Sequence, residues 1–288
     1  MEKTDGISGG APAGGASGPF QEELVRISFQ RLLEARQPFL GTFVQSAAPE
    51  FVEAAGYAGF RFAVMDLEHT YYGTEKLAEM VRAGEAADLC MLARVPALDA
   101  VWIKKSLDLG VSGVIVPNVD TGEQAAEAVR LCRFFPEGIR GACPGVRANR
   151  YGAGGTGYYA EANRQTAVIA LVESPEGVRS FPEILRTPGL TAVFLGPVDL
   201  SVAMNCGGDP AAPEVQSALR QMIRQANQAR IPVGALAVSP EYARELLRQG
   251  LDFLAYGIDT ILMLQTCQAI KSAVLGNPHG TGAERKDT

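Results

Sequence analysis

The chain has 288 residues, of which 47% are apolar and 20% are charged, and its 26 basic and 32 acidic side chains give a net charge of −6. This apolar fraction is enough to form a buried core, so the composition excludes a wholly disordered chain. The negative net charge argues against a dedicated binder of nucleic acid or of anionic membranes, because both need basic surfaces.

The two ends of the chain differ in composition from the rest. Residues 1–19 are rich in Gly, Ala, Ser and Pro and contain no apolar block, so we expect a disordered leader and not a secretory signal. Residues 276–288 have the same character and are expected to form a flexible tail. We therefore expect a single folded domain over residues 20–275.

The region between these ends alternates between two kinds of pattern. A helical pattern at 21–36 comes first, and eight short apolar runs follow, each succeeded by a helical pattern. The runs lie at residues 39–44, 62–65, 90–95, 114–116, 168–172, 192–195, 233–238 and 253–256. The helical patterns after them lie at 49–55, 74–86, 99–109, 121–133, 175–186, 213–229, 240–249 and 259–274, and a long Gly-, Arg- and Pro-rich connection occupies 136–157.

These runs predict an α/β fold. Continuous apolar runs with little alternation are typical of strands buried on both faces of a parallel sheet. Eight β–α units in about 240 residues favour a (β/α)8 TIM barrel with an extra N-terminal helix. An open, doubly wound sheet is the structural alternative.

Cysteine usage and apolar run length indicate the compartment. The five cysteines are widely scattered and form no CxxC pair, which argues against a disulfide framework or a zinc ribbon. No apolar run approaches the roughly 20 residues that a membrane span needs. We therefore expect a cytoplasmic protein without a membrane or nucleic-acid partner.

Two acidic side chains follow neighbouring strands of the predicted barrel. Glu173 comes directly after the fifth run and Asp199 shortly after the sixth. Because the βα connections of a barrel meet at one mouth, the two carboxylates are expected to lie close together, where they suit Mg²⁺ or Mn²⁺. The alternative is that Asp199 only caps a helix and that Glu173 only pairs with an arginine.

A basic and a titratable side chain lie at two other strand ends. His69 follows the second run beside Asp66 and Glu68, and it could act as a general base, with Asp108 approaching from the next unit. Arg94 ends the third run and offers a planar cation to a carboxylate or to a developing enolate. The alternatives are a histidine bonded for packing and an arginine that forms only a salt bridge to Glu173 or Asp66.

Two further patterns are weaker. The segment at 152–157 matches G-x-G-x-x-G, but no strand precedes it, so we expect a mobile loop and no dinucleotide site. Five arginines cluster nearby, but the chain as a whole is acidic, which does not support an RNA-binding patch. Arg130 and Arg133 are interpreted as solvated helix positions, whereas Arg140, Arg147 and Arg150 could hold an anionic substrate group or a subunit contact. The loop 136–157 and a neighbouring chain are both candidates for closing the mouth.

A series of short motifs resembles the class II, metal-dependent pyruvate aldolases of the HpcH/HpaI family. The similarity extends in order from about residue 38 to 272, and the motifs together are more specific than any one of them. They are Asp66-x-Glu68-His69, Arg94-Val-Pro, Ser106-Leu-Asp108-Leu-Gly110, Val116-Pro-x-Val-Asp120-Thr, Arg140-Gly141, Val172-Glu173-Ser174, Gly196-Pro197-x-Asp199-Leu200-Ser201 and Gly257-x-Asp259-Thr260.

This resemblance implies a metal and a substrate. Glu173 and Asp199 would be the protein ligands of a divalent metal, Mg²⁺ or Mn²⁺ with Co²⁺ also acceptable, and pyruvate would bind the metal through its keto oxygen and carboxylate. Backbone amides near Gly196, Pro197, Val198 and Asp199 would hold the pyruvate carboxylate. Phe43 and Leu236 are expected to line the substrate pocket.

The resemblance also implies catalytic roles and an assembly. Arg94 would stabilise the enolate oxygen, and His69, paired with Asp108, would handle the proton of the aldol hydroxyl, with Asp66 supporting the site. The last helix of the barrel would be exchanged between partners in a homo-oligomer, expected to be a hexamer. Phe43, Leu171 and Val198 stand where some relatives carry Trp, Gln and Ala, which alters the pocket wall and leaves the aldehyde partner open.

We therefore expect reversible cleavage of a 4-hydroxy-2-oxo acid to pyruvate and an aldehyde, by a carbon–carbon lyase acting through a pyruvate enolate. A Schiff-base mechanism is disfavoured because the candidate lysines all lie in helical patterns: Lys76, Lys104, Lys105 and Lys271. An alternative is an oxaloacetate decarboxylase or a related enolate-forming lyase or synthase on the same site. A barrel without catalysis, acting as an effector-binding or scaffold subunit, is the alternative from another class.

Overall fold

The computed structural model describes residues 27–276, in which eight parallel strands close into a barrel with neighbours in chain order. The strands are β1 (Phe39–Val44), β2 (Phe62–Asp66), β3 (Cys90–Arg94), β4 (Gly113–Val116), β5 (Ala167–Val172), β6 (Ala192–Leu195), β7 (Val233–Ala237) and β8 (Phe253–Ile258). Each predicted run is therefore a strand. The pairing of β1 with β8 closes the sheet, which confirms the TIM barrel and excludes the open doubly wound alternative.

The helices surround this barrel. They are α1 (Phe29–Glu34), α2 (Pro49–Tyr57), α3 (Thr74–Ala86), α4 (Ala100–Leu109), α5 (Gly122–Cys132), α6 (Tyr158–Gln165), α7 (Pro175–Ile184), α8 (Pro197–Ala203), α9 (Pro213–Ala229), α10 (Pro240–Arg248) and α11 (Asp259–Leu275), and a 3-10 turn lies at Arg147–Gly152. The short helices α6 and α8 were not expected from the sequence. The predicted leader at 1–19, residues 21–26 of the first predicted helix and most of the predicted tail lie outside the described residues.

Aromatic rings fill the end of the barrel where the strands begin. Phe29 of α1 is fully buried and makes edge-to-face contacts with Phe39, Phe62 and Phe253, with ring centroids 5.1–5.7 Å apart. Helix α1 begins at this point because the side chain of Ser28 accepts a hydrogen bond from the Arg31 amide (3.3 Å). The extra N-terminal helix therefore closes the lower end of the barrel, and the opposite end is left as the mouth.

The direction of each helix decides which side chains reach the mouth. A helix that follows a strand of a parallel barrel begins near the mouth and returns to the lower end. Helix α4 follows β3 in this way, so its last turn lies near the start of β4. The connection between α5 and β5 lies at the lower end for the same reason.

The last helix packs differently from the others. In α11 only Asp259, its first residue, is buried, and the helix carries exposed apolar side chains along its length: Ile261, Met263, Leu264, Ile270, Val274 and Leu275. Its contacts with the barrel are to β1 and β8. None of the helices in the described range is long and apolar enough to cross a membrane.

Candidate active site at the barrel mouth

Asp66 and Arg94 form the structural centre of the mouth. They end the adjacent strands β2 and β3 and are partners in the strand register. Arg94 donates from Nε to Asp66 Oδ1 (3.0 Å) and from Nη2 to Oδ2 (2.8 Å). Asp66 is fully buried. Burial alone would raise the pKa of Asp66, but the hydrogen bonds and charge of Arg94 more than offset this, so the pKa lies below its ordinary value.

Three more donors complete the shell of Asp66. The Gln45 side chain donates to Oδ2 (2.8 Å), and the backbone amides of Glu68 and His69 donate to Oδ1 (3.1 and 3.3 Å). With the Arg94 bonds, both carboxylate oxygens are fully engaged. Asp66 therefore fixes Arg94 in one orientation, and its two oxygens already accept five hydrogen bonds.

The remaining guanidinium nitrogen of Arg94 faces a second carboxylate. Nη1 lies 3.4 Å from Glu68 Oε2, and the guanidinium also lies over the Phe43 ring at 5.0 Å from its centroid. Oε2 of Glu68 is buried without a hydrogen-bond partner in the structure. Burial raises the pKa of Glu68, and Arg94 only partly opposes this. Arg94 therefore keeps one donor that is not bound to Asp66.

Glu173 and Asp199 lie across the mouth from this pair. Glu173 follows β5 and is nearly buried, and its Oε1 accepts a hydrogen bond from the Asn118 amide (3.0 Å). Asn118 has φ +54°, a conformation that asparagine tolerates better than most residues. Burial is the main reason that the pKa of Glu173 rises to about 7; the Asn118 bond opposes the rise, and Asp199 and Glu68 add to it.

The chain runs very close to Glu173 at the start of α8. A Cβ atom at Gly196 would lie 2.6 Å from Glu173 Cβ and 2.8 Å from its Oε2. Glycine here lets the backbone of residues 196–199 approach the carboxylate, and Asp199 follows within the first turn of α8. Asp199 is thus not the N-cap of this helix, which is Gly196, and within residues 27–276 Glu173 forms no ion pair with an arginine, so neither structural alternative applies in the described part of the chain.

The donor set at this point suits a hard cation. Among residues 27–276, no group donates a hydrogen bond to Glu173 Oε2 or to the Asp199 carboxylate. These oxygens are therefore free to bind a cation. The same residues hold no group of three or more His, Cys, Asp or Glu side chains that could bind a metal. A metal here would therefore have two carboxylate ligands from this chain, and substrate or water would supply the others.

A small cavity of about 50 Å³ lies between the two pairs. Its wall is largely apolar, and Arg94, Glu173 and Asp199 are its ionisable residues. The cavity brings together all of the predicted substrate-binding residues: Phe43, Gly196, Pro197, Val198, Asp199 and Leu236. Leu171, Phe194, Leu195 and Ile258 complete the lining.

His69 lies at the mouth, but Asp108 does not. The His69 side chain is 58% exposed, and its Nε2 is 3.9 Å from Glu68 Oε2. Asp108 lies in the last turn of α4, at the lower end of the barrel, where it accepts a hydrogen bond from Arg140 (2.7 Å). The expected His69–Asp108 pair is therefore wrong within one chain, because α4 carries Asp108 away from the mouth.

The long connection after α5 also lies away from the mouth. Arg140 is buried against Asp108 and over the Phe134 ring, and Arg147 pairs with Glu85 and donates to the Leu109 carbonyl (2.9 Å). This connection cannot close the mouth of its own chain. Arg130 is exposed as expected, but Arg133 is buried and donates to the Thr166 carbonyl (2.9 Å), so its interpretation as solvated was wrong.

Three residues at the mouth were not assigned a role from the sequence. Gln45 and Asn118 bond directly to Asp66 and Glu173, as described above. Asp259 is fully buried, and its carboxylate accepts hydrogen bonds from the amides of Gln45 (2.8 Å) and Ser46 (2.9 Å). Gln45 and Asp259 follow a strand directly, and Asn118 is the second residue after β4, positions that could have identified them as mouth residues.

The chain matches known proteins over most of its length. The family model described as HpcH/HpaI aldolase/citrate lyase matches residues 40–266. A 2-dehydro-3,6-dideoxy-6-sulfogluconate aldolase of Pseudomonas putida is 34% identical over 85% of this chain and 96% of its own length. A 4-hydroxy-2-oxo-heptane-1,7-dioate aldolase of Shigella sonnei is 34% identical over 84% of this chain and 93% of its own length. A crystal structure of an HpcH/HpaI aldolase/citrate lyase family protein from Burkholderia cenocepacia has a TM-score of 0.80 and 33% identity, covering 85% of this chain and 97% of the other.

Proposed function

Because this chain belongs to the HpcH/HpaI aldolase/citrate lyase family, we propose that it reversibly cleaves a 4-hydroxy-2-oxo acid to pyruvate and an aldehyde. The observation that carries the proposal is the small cavity between Arg94 and the Glu173–Asp199 pair. Its lining offers a guanidinium and two carboxylates to the keto and carboxylate groups of the three-carbon acid that this cleavage leaves behind, directly or through a bound cation.

Two elements of the chain would hold the pyruvate portion. The backbone amides of Val198 and Asp199, in the first turn of α8, face no side-chain cap and are placed to bind the carboxylate; Pro197 has no N–H. Arg94 Nη1, the donor not bound to Asp66, would stabilise the oxygen on which enolate charge develops. Asp66 contributes by keeping that donor in place.

Glu173 and Asp199 would hold a divalent cation. Bound there, Mg²⁺, Mn²⁺ or Co²⁺ would polarise the keto group of the substrate and stabilise the enolate form. The two carboxylates fit this role because the charge of Asp199 adds to the raised pKa of Glu173 and both residues line the same cavity with free oxygens.

His69 would take the proton from the C4 hydroxyl when the C3–C4 bond breaks, and return it in the reverse direction. Its exposed imidazole at the rim of the mouth can reach a substrate atom outside the small cavity. Asp108 of the same chain cannot assist it. We therefore propose that Asp108 acts on the His69 of another copy in a homo-oligomer.

The last helix supports such an assembly. The apolar side chains of α11 are exposed in the single chain, and contact with a second copy would bury them. We propose that α11 is exchanged between partners, in an oligomer that the family resemblance suggests is a hexamer. Sedimentation of the full-length protein would measure the oligomer size.

The test of the proposed function is release of pyruvate from 4-hydroxy-2-oxo acids, with oxaloacetate as a parallel substrate. We expect hydroxy-oxo acid cleavage that a chelator abolishes and Mg²⁺ or Mn²⁺ restores, with a loss of about 10²-fold or more in Glu173→Gln. Borohydride added with substrate should not inactivate the enzyme. Inactivation by borohydride with resistance to the chelator would contradict the proposal, and pyruvate release from oxaloacetate alone would replace it with a decarboxylase.

A further inference from the structure

A second cavity lies at the lower end of the barrel, away from the mouth. It has a volume of about 280 Å³, compared with about 50 Å³ for the cavity between Arg94 and Glu173. Its wall is formed by the start of α1, the end of α4, the residues before β4, the connection after α5 and the helix α6. A ligand bound there would therefore be neither the substrate nor the metal of the mouth.

Three arginines from three separate segments line this lower cavity. Arg31 lies in α1, Arg140 in the connection after α5, and Arg150 in the 3-10 turn. Glu161 is the one acidic residue among the lining residues of the described range, and its carboxylate is bonded to Arg164. In the part of the chain that the structure describes, neither Arg31 nor Arg150 forms an ion pair with a carboxylate. The wall therefore carries more positive charge than its own acidic residue can balance.

Arg140 is the buried member of this set, with a side-chain exposure of 2%. Its Nη2 donates to Asp108 (2.7 Å) and to the Tyr158 hydroxyl (3.4 Å), but its Nε is buried with no hydrogen-bond partner among the described residues. Oε1 of Gln165, which lines the same cavity, is a buried acceptor that also lacks a partner there. Such atoms are rare in folded proteins, because burial removes their hydrogen bonds to water. One donor and one acceptor left over around a single cavity point to a ligand that supplies both partners.

The charges around the lower cavity indicate the class of ligand. The three lining arginines and Arg164 carry four positive charges, and the two carboxylates bonded to this set, those of Asp108 and Glu161, carry two negative ones. The resulting formal charge of +2 matches a phosphate monoester, which carries about −1.5 to −2 at pH 7. Guanidinium groups also bind phosphate oxygens through two parallel hydrogen bonds. The free acceptor of Gln165 suits a hydroxyl group on the same ligand.

We propose that the lower cavity binds a small phosphate ester that carries a hydroxyl group, such as a polyol phosphate or a sugar phosphate. The phosphate lies among Arg31, Arg140 and Arg150, and the hydroxyl group donates to Gln165 Oε1. The volume of about 280 Å³ is close to the lower limit of ligand pockets, about 300 Å³, so the ligand has few carbon atoms. Binding here needs neither the mouth nor a divalent cation, so it does not depend on the proposed aldolase reaction.

Glycerol 3-phosphate is the probe for this site, because it combines a phosphate with two hydroxyl groups. Isothermal titration of the full-length protein is done with EDTA present, so that no divalent cation can hold the phosphate at the mouth. We expect saturable binding with a Kd below about 1 mM. Inorganic phosphate should bind about tenfold or more weakly, because it cannot reach both the arginines and Gln165, and glycerol should not bind.

Variants of the lining test which side chains hold the probe. Arg31→Gln and Arg150→Gln change exposed positions and should each raise the Kd about tenfold or more, because a charge-assisted hydrogen bond to the phosphate is lost. Arg220→Gln, at an exposed position of α9, is the matched control and should bind as the wild type does. Gln165→Leu should remove the preference for glycerol 3-phosphate over inorganic phosphate.

A variant of the mouth separates the two cavities. Glu173→Gln should bind glycerol 3-phosphate with an unchanged Kd, and loss of binding in this variant would place the phosphate at the mouth and overturn the proposal. Absence of saturable binding by the wild type would overturn it as well. So would an equal rise in Kd in Arg31→Gln, Arg150→Gln and the Arg220→Gln control.

Discussion

Asp66 and Arg94 face each other at the ends of two adjacent strands. Their two parallel hydrogen bonds, 3.0 and 2.8 Å long, fix the relative orientation of the guanidinium and the carboxylate. The register of β2 and β3 places them together, so the pair depends on the barrel itself and not on a mobile loop. The third guanidinium nitrogen, Nη1, is not bonded to Asp66 and lies 3.4 Å from Glu68, and it is the one that we propose binds the substrate. The catalytic predictions below depend on this arrangement.

Arg94→Lys keeps the positive charge but removes the guanidinium group, which bonds both oxygens of Asp66. We expect kcat to fall by about 10²-fold or more, because a lysine cannot bond both oxygens of Asp66 and still present a placed donor to the enolate oxygen. Steady-state pyruvate release measures this. Arg130→Lys, an exposed helix position paired with Glu127, is the control and should match the wild type. A kcat within a few-fold of the wild type in Arg94→Lys would contradict the role assigned to the Arg94 guanidinium.

The depressed pKa of Asp66 predicts a pH dependence of stability. Because the folded-state pKa lies below the unfolded value, the contribution of Asp66 is present above the unfolded pKa and is lost as pH falls through the folded pKa. Asp66→Asn should therefore lower the free energy of unfolding near pH 7 by about 3 kcal/mol, since it removes the carboxylate that Arg94 bonds at two points and leaves only the more distant Glu68 beside it. Its stability should also change less than that of the wild type on acidification below about pH 4.

Urea unfolding at several pH values measures both effects. The exposed Glu127→Gln is the comparison, for which we expect a change below about 1 kcal/mol at neutral pH. If the free energy of unfolding falls equally on acidification in Asp66→Asn and in the wild type, other carboxyl groups are responsible for the loss of stability at low pH.

Gly196→Ala tests the close approach of backbone and carboxylate. The added methyl group would lie 2.6 Å from Glu173 Cβ, so either Glu173 or the start of α8 must move. We expect weaker metal binding and a loss of activity of about tenfold or more, because the two candidate ligands would no longer face the same point. Isothermal titration with Mn²⁺ measures the affinity. Gly145→Ala, where an added Cβ meets nothing within 4 Å, should bind the metal as the wild type does.

The position of Asp108 predicts complementation between chains. His69→Ala and Asp108→Ala should each lose about 10²-fold or more in kcat. Mixed and allowed to exchange subunits, the two should regain activity, because some mouths would combine an intact His69 with an intact Asp108 from another chain. Activity of each variant and of the mixture is measured at equal total protein. A mixture no more active than its components would remove Asp108 from the proposed mechanism.

The reactivity of the cysteine thiols toward a labelling reagent measures how deeply each one is buried in the folded protein. Burial raises the pKa of both Cys90 and Cys132 to about 12, so their thiolate fraction at pH 8 is about 10⁻⁴ and labelling should be negligible before unfolding. Cys143 is exposed in the long connection and should react rapidly. Cys267, exposed on α11 in the single chain, should be protected in the assembled protein if α11 is exchanged. Timed labelling with a thiol reagent and mass spectrometry separates these sites.

Most of the barrel could be read from the sequence because its signals are local. A strand buried on both faces must be apolar at nearly every position, so each of the eight strands leaves a continuous run in the sequence. A strand ends where polar side chains reach the mouth, and this places Asp66, Arg94 and Glu173 at strand ends without knowledge of which strands are neighbours. The short helices α6 and α8 were missed because a few residues carry too little periodicity to be distinguished from a loop.

Which of these side chains meet was decided by tertiary structure. Pairing of β1 with β2 brings Gln45 to Asp66, and pairing of β4 with β5 brings Asn118 to Glu173. The return of α4 to the lower end separates Asp108 from His69 although both stand in family motifs. The physical reason is that burial is a property of each residue and its near neighbours in sequence, so the chain encodes it locally. Contact between distant side chains depends on strand register and helix direction, which exist only once the barrel has closed.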